Sequence, residues 1–381
     1  MTKKLYYESS YTKKFTATVT KCETVNDACR ICLDQTAFFP EGGGQAGDTG
    51  FLNTCEVFDT QEQDGLIWHY TKTPIEPGSN ITGQISWSKR FDRMQQHTGE
   101  HIVSGLIHKH FQYNNVGFHL GETEVTLDFD GPITKEELKK IERKANEALW
   151  ANLPTEITYP SREELKTLDY RSKIEIQGQV RIVTIPGIDI CACCAPHVAR
   201  TGEIGLIKLT NVQSHRGGVR IHLSAGMRAL ADYEEKEHNI KAISVLLSAK
   251  EEDTSKAVER LKQENFNLVG RILQLQKILI EQKAAAVPEG TKDIIFFEKD
   301  LDNNTAREFV NLLTKRCTGI ACVFTGSDTT GYRYILGSSQ EDVRPLCKKL
   351  NEAFHGKGGG KPEMVQGSLT GTQEAIQKLL Y

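Results

Sequence analysis

Short alternating runs of apolar and polar residues dominate the first part of the chain. Phe15-Thr16-Ala17-Thr18-Val19-Thr20, Arg30-Ile31-Cys32-Leu33-Asp34 and Gly65-Leu66-Ile67-Trp68-His69-Tyr70 are β-prone stretches set apart by Gly, Asn and Asp turns. They predict a small β-barrel-like unit over residues 1–85. The period then changes: Ile102, Val103, Leu106 and Ile107 recur at helical spacing, predicting an amphipathic helix from Arg93 to His110. A strand pattern returns at Val180–Ile185. Residues 228–286 are rich in Glu, Lys, Ala and Leu, and Val258, Leu261, Asn265, Leu268, Ile272, Leu275 and Leu279 alternate steps of three and four. That is a heptad stripe with one polar core position, a device that fixes pairing register. Glu251-Glu252-Asp253-Thr254 interrupts the pattern upstream, so a helical hairpin, an intermolecular coil and an ordinary helix packed on its own domain all stay open. Beyond Pro288 the pattern predicts strands at 293–297 and 320–324 and helices at 305–315 and 342–354.

The expected fold class is therefore α+β multidomain. It comprises a small N-terminal β-barrel (1–85), an α+β metal-binding domain (86–227), a helical or coiled-coil linker (228–286) and a C-terminal α/β domain (287–381). A length of 381 residues with 38% hydrophobic and 25% charged positions is neither disordered nor fibrous in character. With 47 Lys+Arg against 50 Asp+Glu the formal charge is −3, which excludes a globally basic nucleic-acid binder, so any contact with RNA must come from local patches. The ten cysteines are too irregularly spaced for a disulfide scaffold, and reduced thiols in a cytoplasmic setting are expected. Cys29 and Cys32 form a C-x-x-C, but on a strand they point to opposite faces and predict buried thiols. The N-terminus has positive charge without an apolar run, and no stretch approaches the ~20 apolar residues of a membrane span. A soluble protein that is not exported is expected, with no membrane partner.

Candidate chemistry concentrates in two places. His97 and His101 lie four apart and stack on one helical face, the spacing two imidazoles need to reach one metal. Cys191-Ala192-Cys193-Cys194-Ala195-Pro196-His197 offers thiolates and an imidazole within seven residues. Pairing His97 and His101 with Cys193 and His197 gives a nitrogen-rich, one-thiolate tetrahedron suited to zinc. The competing readings are a chance histidine pair, buried thiols or a redox cluster, the last lacking its usual C-x-x-C. Separately, Phe38–Gly50 packs five glycines into thirteen residues, an elaborate turn or a loop where backbone approaches a ligand closely.

These residues resemble a known family. His97-Thr98-Gly99-Glu100-His101 and Cys193–Gly205 look like the H-x-x-x-H and C-x-x-x-H motifs of the alanyl-tRNA synthetase editing domain. Glu41-Gly42-Gly43-Gly44-Gln45-Ala46-Gly47-Asp48-Thr49-Gly50 resembles the segment preceding that domain in the free-standing editing proteins called AlaX. Gly356–Ser368 resembles the glycine-rich signature of the DHH-associated domain that closes the synthetases. The barrel begins almost at Met1, with no place for the activation and tRNA-recognition domains upstream, so the chain resembles the long form of AlaX and no aminoacylation is expected.

The resemblance implies trans-editing, the hydrolysis of the ester joining serine or glycine to the 3′ end of mischarged alanine tRNA. A pocket sized for alanine admits glycine and rejects serine weakly, so a second, hydrolytic site must separate them. That site needs groups that bond the serine hydroxyl and are left unpaired by a methyl, and Thr98, Glu100 and His119 are the candidates. The family's synthetases commonly carry Thr just before the second histidine, whereas here that place is Glu100, so the Thr role does not carry over directly and a place for Glu100 behind the ligands or facing solvent stays equally open. Four protein ligands describe a closed site and a hydrolytic zinc keeps one position open, and the residues leave both open. Candidate tRNA contacts are Gly42, Gly43, Gly44 and Gln45, the cations Arg216 and Arg220, and Lys357 and Lys361 in a Gly356–Lys361 loop. A homodimer through the helical segment or the C-terminal domain is a further candidate partner. A catalytically inert tRNA-binding module and a zinc hydrolase of a free small molecule are the other two functional readings.

Overall fold

The computed structural model describes residues 2–172 and 178–380, which fall into two compact units, residues 1–239 and 240–381. It is an α+β multidomain structure. In the first unit six strands, β1 (Lys14–Val25), β2 (Ala28–Leu33), β3 (Gly50–Leu52), β4 (Cys55–Gln63), β5 (Leu66–Thr71) and β6 (Asn80–Ile85), pair in the closed order β1-β2-β5-β4-β3-β6. Alternation along these strands sends Phe15, Ala17, Val19, Ile31, Leu33, Val57 and Ile81 into one core. Cys29 and Cys32, on β2, are both buried free thiols.

Helix α1 (Trp87–Phe111) follows the barrel directly and begins six residues before the periodicity signals it. Every residue from Arg93 to Ile107 is buried, so this helix is a central pillar rather than a surface helix with one apolar stripe. It ends at Gln112, whose left-handed φ of 60° closes the last turn by returning its N–H to the His108 carbonyl. Strands β7 (Asn115–Leu120) and β8 (Val125–Phe129) come next, followed by α2 (Lys135–Trp150), started by a reciprocal Thr134–Glu137 capping box. Short strands β9 (Glu156–Thr158), β10 (Ile182–Ile185) and β11 (Asp189–Ala192) form an antiparallel sheet. Strands β12 (Ile207–His215) and β13 (Gly218–Ala225) complete a four-stranded sheet of order β12-β13-β8-β7. Ile102, Val103, Leu106 and Ile107 of α1 pack with Leu127, Phe129, Leu138, Ile141 and Leu223 in its core.

Residues 226–286 are helical in two pieces, α3 (Gly226–Leu247) and α4 (Thr254–Ala286), broken near Glu251–Asp253 as the acidic interruption suggests. In the second unit β14 (Ile294–Glu298), α5 (Asn303–Leu313), β15 (Ala321–Ser327), β16 (Gly331–Gly337), α6 (Arg344–Ala353), β17 (Lys357–Lys361), β18 (Met364–Leu369) and α7 (Gln373–Leu380) build a five-stranded sheet of order β14-β15-β16-β18-β17. Ile280 and Ala284 of α4 join Phe309, Val310 and Leu313 of α5 over one face, and Leu350 and Ile376 cover the other. One expectation is corrected here: Gly356–Lys361 is not a loop, because Lys357–Lys361 is an edge strand paired with β18. Glycine is required there for close approach, since a Cβ at Gly358 would strike the Tyr334 hydroxyl and the Gln366 carbonyl.

Candidate metal centre

Two chain segments ninety residues apart supply one cluster. His97 and His101 lie on consecutive turns of α1, and Cys193 and His197 lie just after β11, which the β10–β11 hairpin brings to that face. The four donor atoms lie within 4.8 Å of one another. His97 Nε2 is 3.5 Å and His197 Nε2 3.3 Å from the Cys193 Sγ, and the His101 and His197 ring centroids are 4.6 Å apart. All three rings are buried.

The other nitrogen of each ring is held by a different group, which fixes ring orientation and tautomer. His101 Nδ1 meets Asp189 Oδ2 at 2.9 Å, His197 Nδ1 meets Thr98 Oγ1 at 3.0 Å, and His97 Nδ1 meets Gln45 Oε1 at 3.2 Å. Asp189 is itself clamped by Arg171 through bonds of 2.7 and 2.8 Å. Burial pushes His197 down to about 3, so it stays a neutral imidazole. Burial also opposes a thiolate at Cys193, but the facing His97 and His197 rings and hydrogen bonds from His101 and His197 hold its thiol well below the ordinary range. A thiolate ringed by three imidazoles, each held from behind by another residue, is a donor set that fits zinc. Cys191 completes a second grouping with His101 and Asp189, but Asp189 is spent on Arg171 and burial pushes the Cys191 thiol up to about 11. That trio supports His101 rather than offering a second candidate site.

The cluster opens onto a cavity of about 660 Å³, walled by Tyr7, Phe118, Tyr159, Arg181, Glu100 and the backbone of Gly43 and Gly44. Gly43 and Gly44 have φ of 61° and 81°, and a Cβ on Gly44 would strike Phe118, so this wall requires glycine. Arg181 donates to the Cys193 and Ala195 carbonyls at 2.7 and 3.1 Å and so fixes the turn carrying the thiol. Two arginines of α1 hold the glycine-rich segment against the helix. Arg90, fully buried, forms an ion pair with Asp48 and donates to the Ser10 and Ala37 carbonyls, and Arg93 donates to the Gly47 carbonyl at 2.7 Å. Asp48 in turn accepts from the Phe39 N–H at 2.7 Å.

Of the residues singled out from the sequence, Gly42, Gly43, Gly44 and Gln45 lie against the cluster: Gly42 and Gly43 adjoin Cys194, and Gln45 is wholly buried against His97. Thr98 is fully buried and absent from the cavity wall, its hydroxyl taken up by His197 and the Val198 N–H. Glu100 is buried at the wall, where its Oε1 accepts from Ser104 and Asn115 at 2.8 and 2.7 Å. His119 is exposed, because strand alternation turns it away from the face that carries Phe118, and it does not line the cavity. Arg220 is bound to Asp128 by two bonds of 2.7 and 2.8 Å instead of standing as a free cation. Arg216 is exposed in the β12–β13 turn, and Lys357 and Lys361 are exposed on β17. Sequence reasoning missed Asp189, Arg171, Arg181 and Arg90. Arg90 carried a signal, since Arg90, Arg93 and His97 recur at three- and four-residue steps on one face. The others lie on short elements whose geometry is set only by tertiary pairing.

Three family models match the chain: tRNA synthetases class II (A) over residues 2–89, the threonyl and alanyl tRNA synthetase second additional domain over 180–222, and the DHHA1 domain over 290–381. The chain is 27% identical to the alanyl-tRNA editing protein Aarsd1 of Rattus norvegicus, across 96% of this chain and 94% of that one. It is 26% identical to the alanyl-tRNA editing protein AlaX-L of Pyrococcus horikoshii, across 99% and 96%. It is 30% identical to the alanine--tRNA ligase of Pyrobaculum neutrophilum, which matches 100% of this chain but is spanned over only 44% of its own length. By its motifs and its matched domains the chain is related, over nearly its whole length, to the alanyl-tRNA editing proteins of the AlaX type.

Proposed function

We propose that this chain is a deacylase that edits in trans, hydrolysing the ester joining serine or glycine to the 3′ end of mischarged alanine tRNA, with zinc held by His97, His101, Cys193 and His197. The observation that carries the reading is the convergence of those four donors, three of which, His97, His101 and Cys193, line the cavity. The similarity to proteins named for alanyl-tRNA editing supports the substrate class. Zinc bound there with all four ligands would orient the aminoacyl group, and would act as a Lewis acid beside the ester only by taking on a further ligand.

The chain's own residues do the rest. Glu100, fixed by Ser104 and Asn115, faces the cavity as a buried carboxylate and accepts a hydrogen bond from the seryl hydroxyl. An alanyl methyl would leave that contact unmade, which spares the correct product. Thr98 and Asp189 orient the metal ligands, and Phe118, Tyr7 and Tyr159 wall the ester off from bulk solvent while the cavity leaves room for the one water that hydrolysis consumes. Arg216, Lys357 and Lys361 are the exposed cations left for tRNA phosphates, while His119 and Arg220 drop from the functional set. We assign the four-part division at residues 85, 227 and 286 and a cytoplasmic site of action on the same reading. Among the described residues no helix is long and apolar enough to cross a membrane.

The test measures release from seryl-, glycyl- and alanyl-tRNA(Ala) side by side. Wild type releases serine or glycine and spares alanine, His101→Ala and Cys193→Ala release neither, and Glu100→Gln narrows the serine-to-alanine preference. Equal release by wild type and both ligand variants would overturn the assignment.

A further inference from the structure

Arg181 is 6% exposed and stands on the cavity wall, yet only one edge of its guanidinium is used. Nη1 donates to the Cys193 and Ala195 carbonyls at 2.7 and 3.1 Å. Nε is buried without a hydrogen-bond partner, and among the described residues Nη2 makes no hydrogen bond and no carboxylate pairs with the side chain. That edge is the one other arginines of this unit fill with a carboxylate. Nε and Nη2 of Arg171 hold Asp189 at 2.7 and 2.8 Å, those of Arg220 hold Asp128 at 2.7 and 2.8 Å, and those of Arg228 hold Asp92 at 3.0 and 2.7 Å. A guanidinium taken this far out of water without a counter-ion carries a free-energy cost that a bound anion would offset. The Tyr7 ring, its centroid 5.4 Å from the Arg181 Cζ, covers one face of the group.

We propose that the Nε–Nη2 edge of Arg181 binds the phosphodiester entering the 3′-terminal nucleotide of the aminoacyl-tRNA, and so anchors the ester beside His97, His101 and Cys193. The inference rests on the deacylase reading and adds to it the residue that places the substrate. An aminoacyl ester brings no free carboxylate, because that carboxyl is the acyl group, and its amino group is a cation. The oxyanions of such a substrate are its phosphates, whose paired oxygens meet a guanidinium edge in the same two-bond geometry as a carboxylate. Nη1 rests on the Cys193 carbonyl, so the cation and the donor cluster share one stretch of wall. A nucleotide with its ester at the cluster therefore brings its own 5′ phosphate to Arg181 in preference to one farther along the strand, since a single ribose separates the two. Tyr7 and Tyr159, which line the same cavity, offer the terminal base an aromatic face. Glu100 lines this cavity as a carboxylate held by Ser104 and Asn115. The two opposite charges admit the substrate in one direction, with the aminoacyl group toward Glu100 and the phosphate toward Arg181.

The test compares serine release by the full chain from seryl-tRNA(Ala) with its last phosphodiester intact and with that linkage replaced by a neutral methylphosphonate. In wild type the neutral linkage is expected to lower kcat/KM about 10–100-fold, the range for losing hydrogen bonds to a charged group, while the same change one nucleotide upstream costs less than about 3-fold. Arg181→Met is expected to lose a similar factor on the native substrate and to show no further loss on the neutral one. Arg181→Lys, which keeps the charge without the fork, is expected to fall between. The native-to-neutral ratio is read within each protein, so a thiol-bearing turn loosened by the missing Nη1 bonds, which slows both substrates alike, does not move it. A wild-type ratio near one, or a ratio in Arg181→Met equal to that of wild type, would overturn the anchor and leave the deacylase reading standing. Equal losses from the last linkage and the next one upstream would overturn it on wild type alone. Release of no serine from the native substrate by wild type would overturn the deacylase reading and the anchor with it.

Discussion

Replacing Arg90 with methionine removes one half of a fully buried ion pair and leaves the Asp48 carboxylate with only the Phe39 N–H and, at 3.9 Å, Arg93. Methionine keeps the length of the side chain but none of its donors, so the Ser10 and Ala37 carbonyls also lose their partners. Breaking a buried pair by removing one member costs about 3–5 kcal/mol, because the remaining charge is uncompensated. At a urea slope of roughly 3 kcal/mol/M, this lowers the unfolding midpoint of the first unit by roughly 1–1.7 M. Trp68, Trp87 and Trp150, the chain's three tryptophans, all lie in that unit, so intrinsic fluorescence follows it alone. The double variant Arg90→Met with Asp48→Leu should recover much of the loss, since replacing both members of a buried pair by apolar groups is often neutral. A midpoint shift below about 0.3 M for Arg90→Met, or no recovery in the double variant, would refute the claim that this pair clamps the glycine-rich segment.

His69 is wholly buried, with its ring nitrogens on the Ile31 carbonyl and the Thr36 hydroxyl, and burial lowers its pKa from 6.5 to about 4. A depressed folded value means the stability is fully present above about 6.5 and is lost as pH falls through 4. The loss totals about 3 kcal/mol, and urea midpoints at pH 7, 5 and 4 should fall less in His69→Gln than in wild type. Gly47→Ala would drive a Cβ into the Thr60 backbone, so it should lower both the unfolding midpoint and the zinc retained after dialysis. Unchanged values for both would show that the segment yields without cost. Asp189→Asn weakens the support behind His101, and chelator competition should report zinc affinity about 10–100-fold lower, against no change if Asp189 serves only Arg171.

Several features were legible in the sequence because they are local. The His97–His101 spacing, the heptad on 258–279 and the β-prone runs before residue 85 each depend on neighbours within one turn or one strand. Cys193 and His197 were readable as ligands by residue type, but their meeting with α1 depends on the β10–β11 hairpin, which spacing cannot specify. The glycine-rich segment reads first as an elaborate turn and only second as a ligand loop. Arg90, Arg93 and Asp48 decide that it is held against α1. Gly356–Lys361 misled because glycine repeats suggest a loop, whereas the strand is imposed by pairing with Met364–Leu369. His119 and Phe118 were indistinguishable by neighbourhood, and only the pleat of β7 separates the exposed ring from the cavity wall.

In the proposed site three imidazoles and one thiolate enclose a single ion. X-ray absorption at the zinc edge of the purified chain tests it most directly. One zinc per chain is expected, with three nitrogen neighbours at about 2.0–2.1 Å and one sulfur at about 2.3 Å, the sulfur shell vanishing in Cys193→Ser. Two sulfur neighbours, a shell of oxygen and nitrogen alone, or a sulfur shell that survives Cys193→Ser would contradict it.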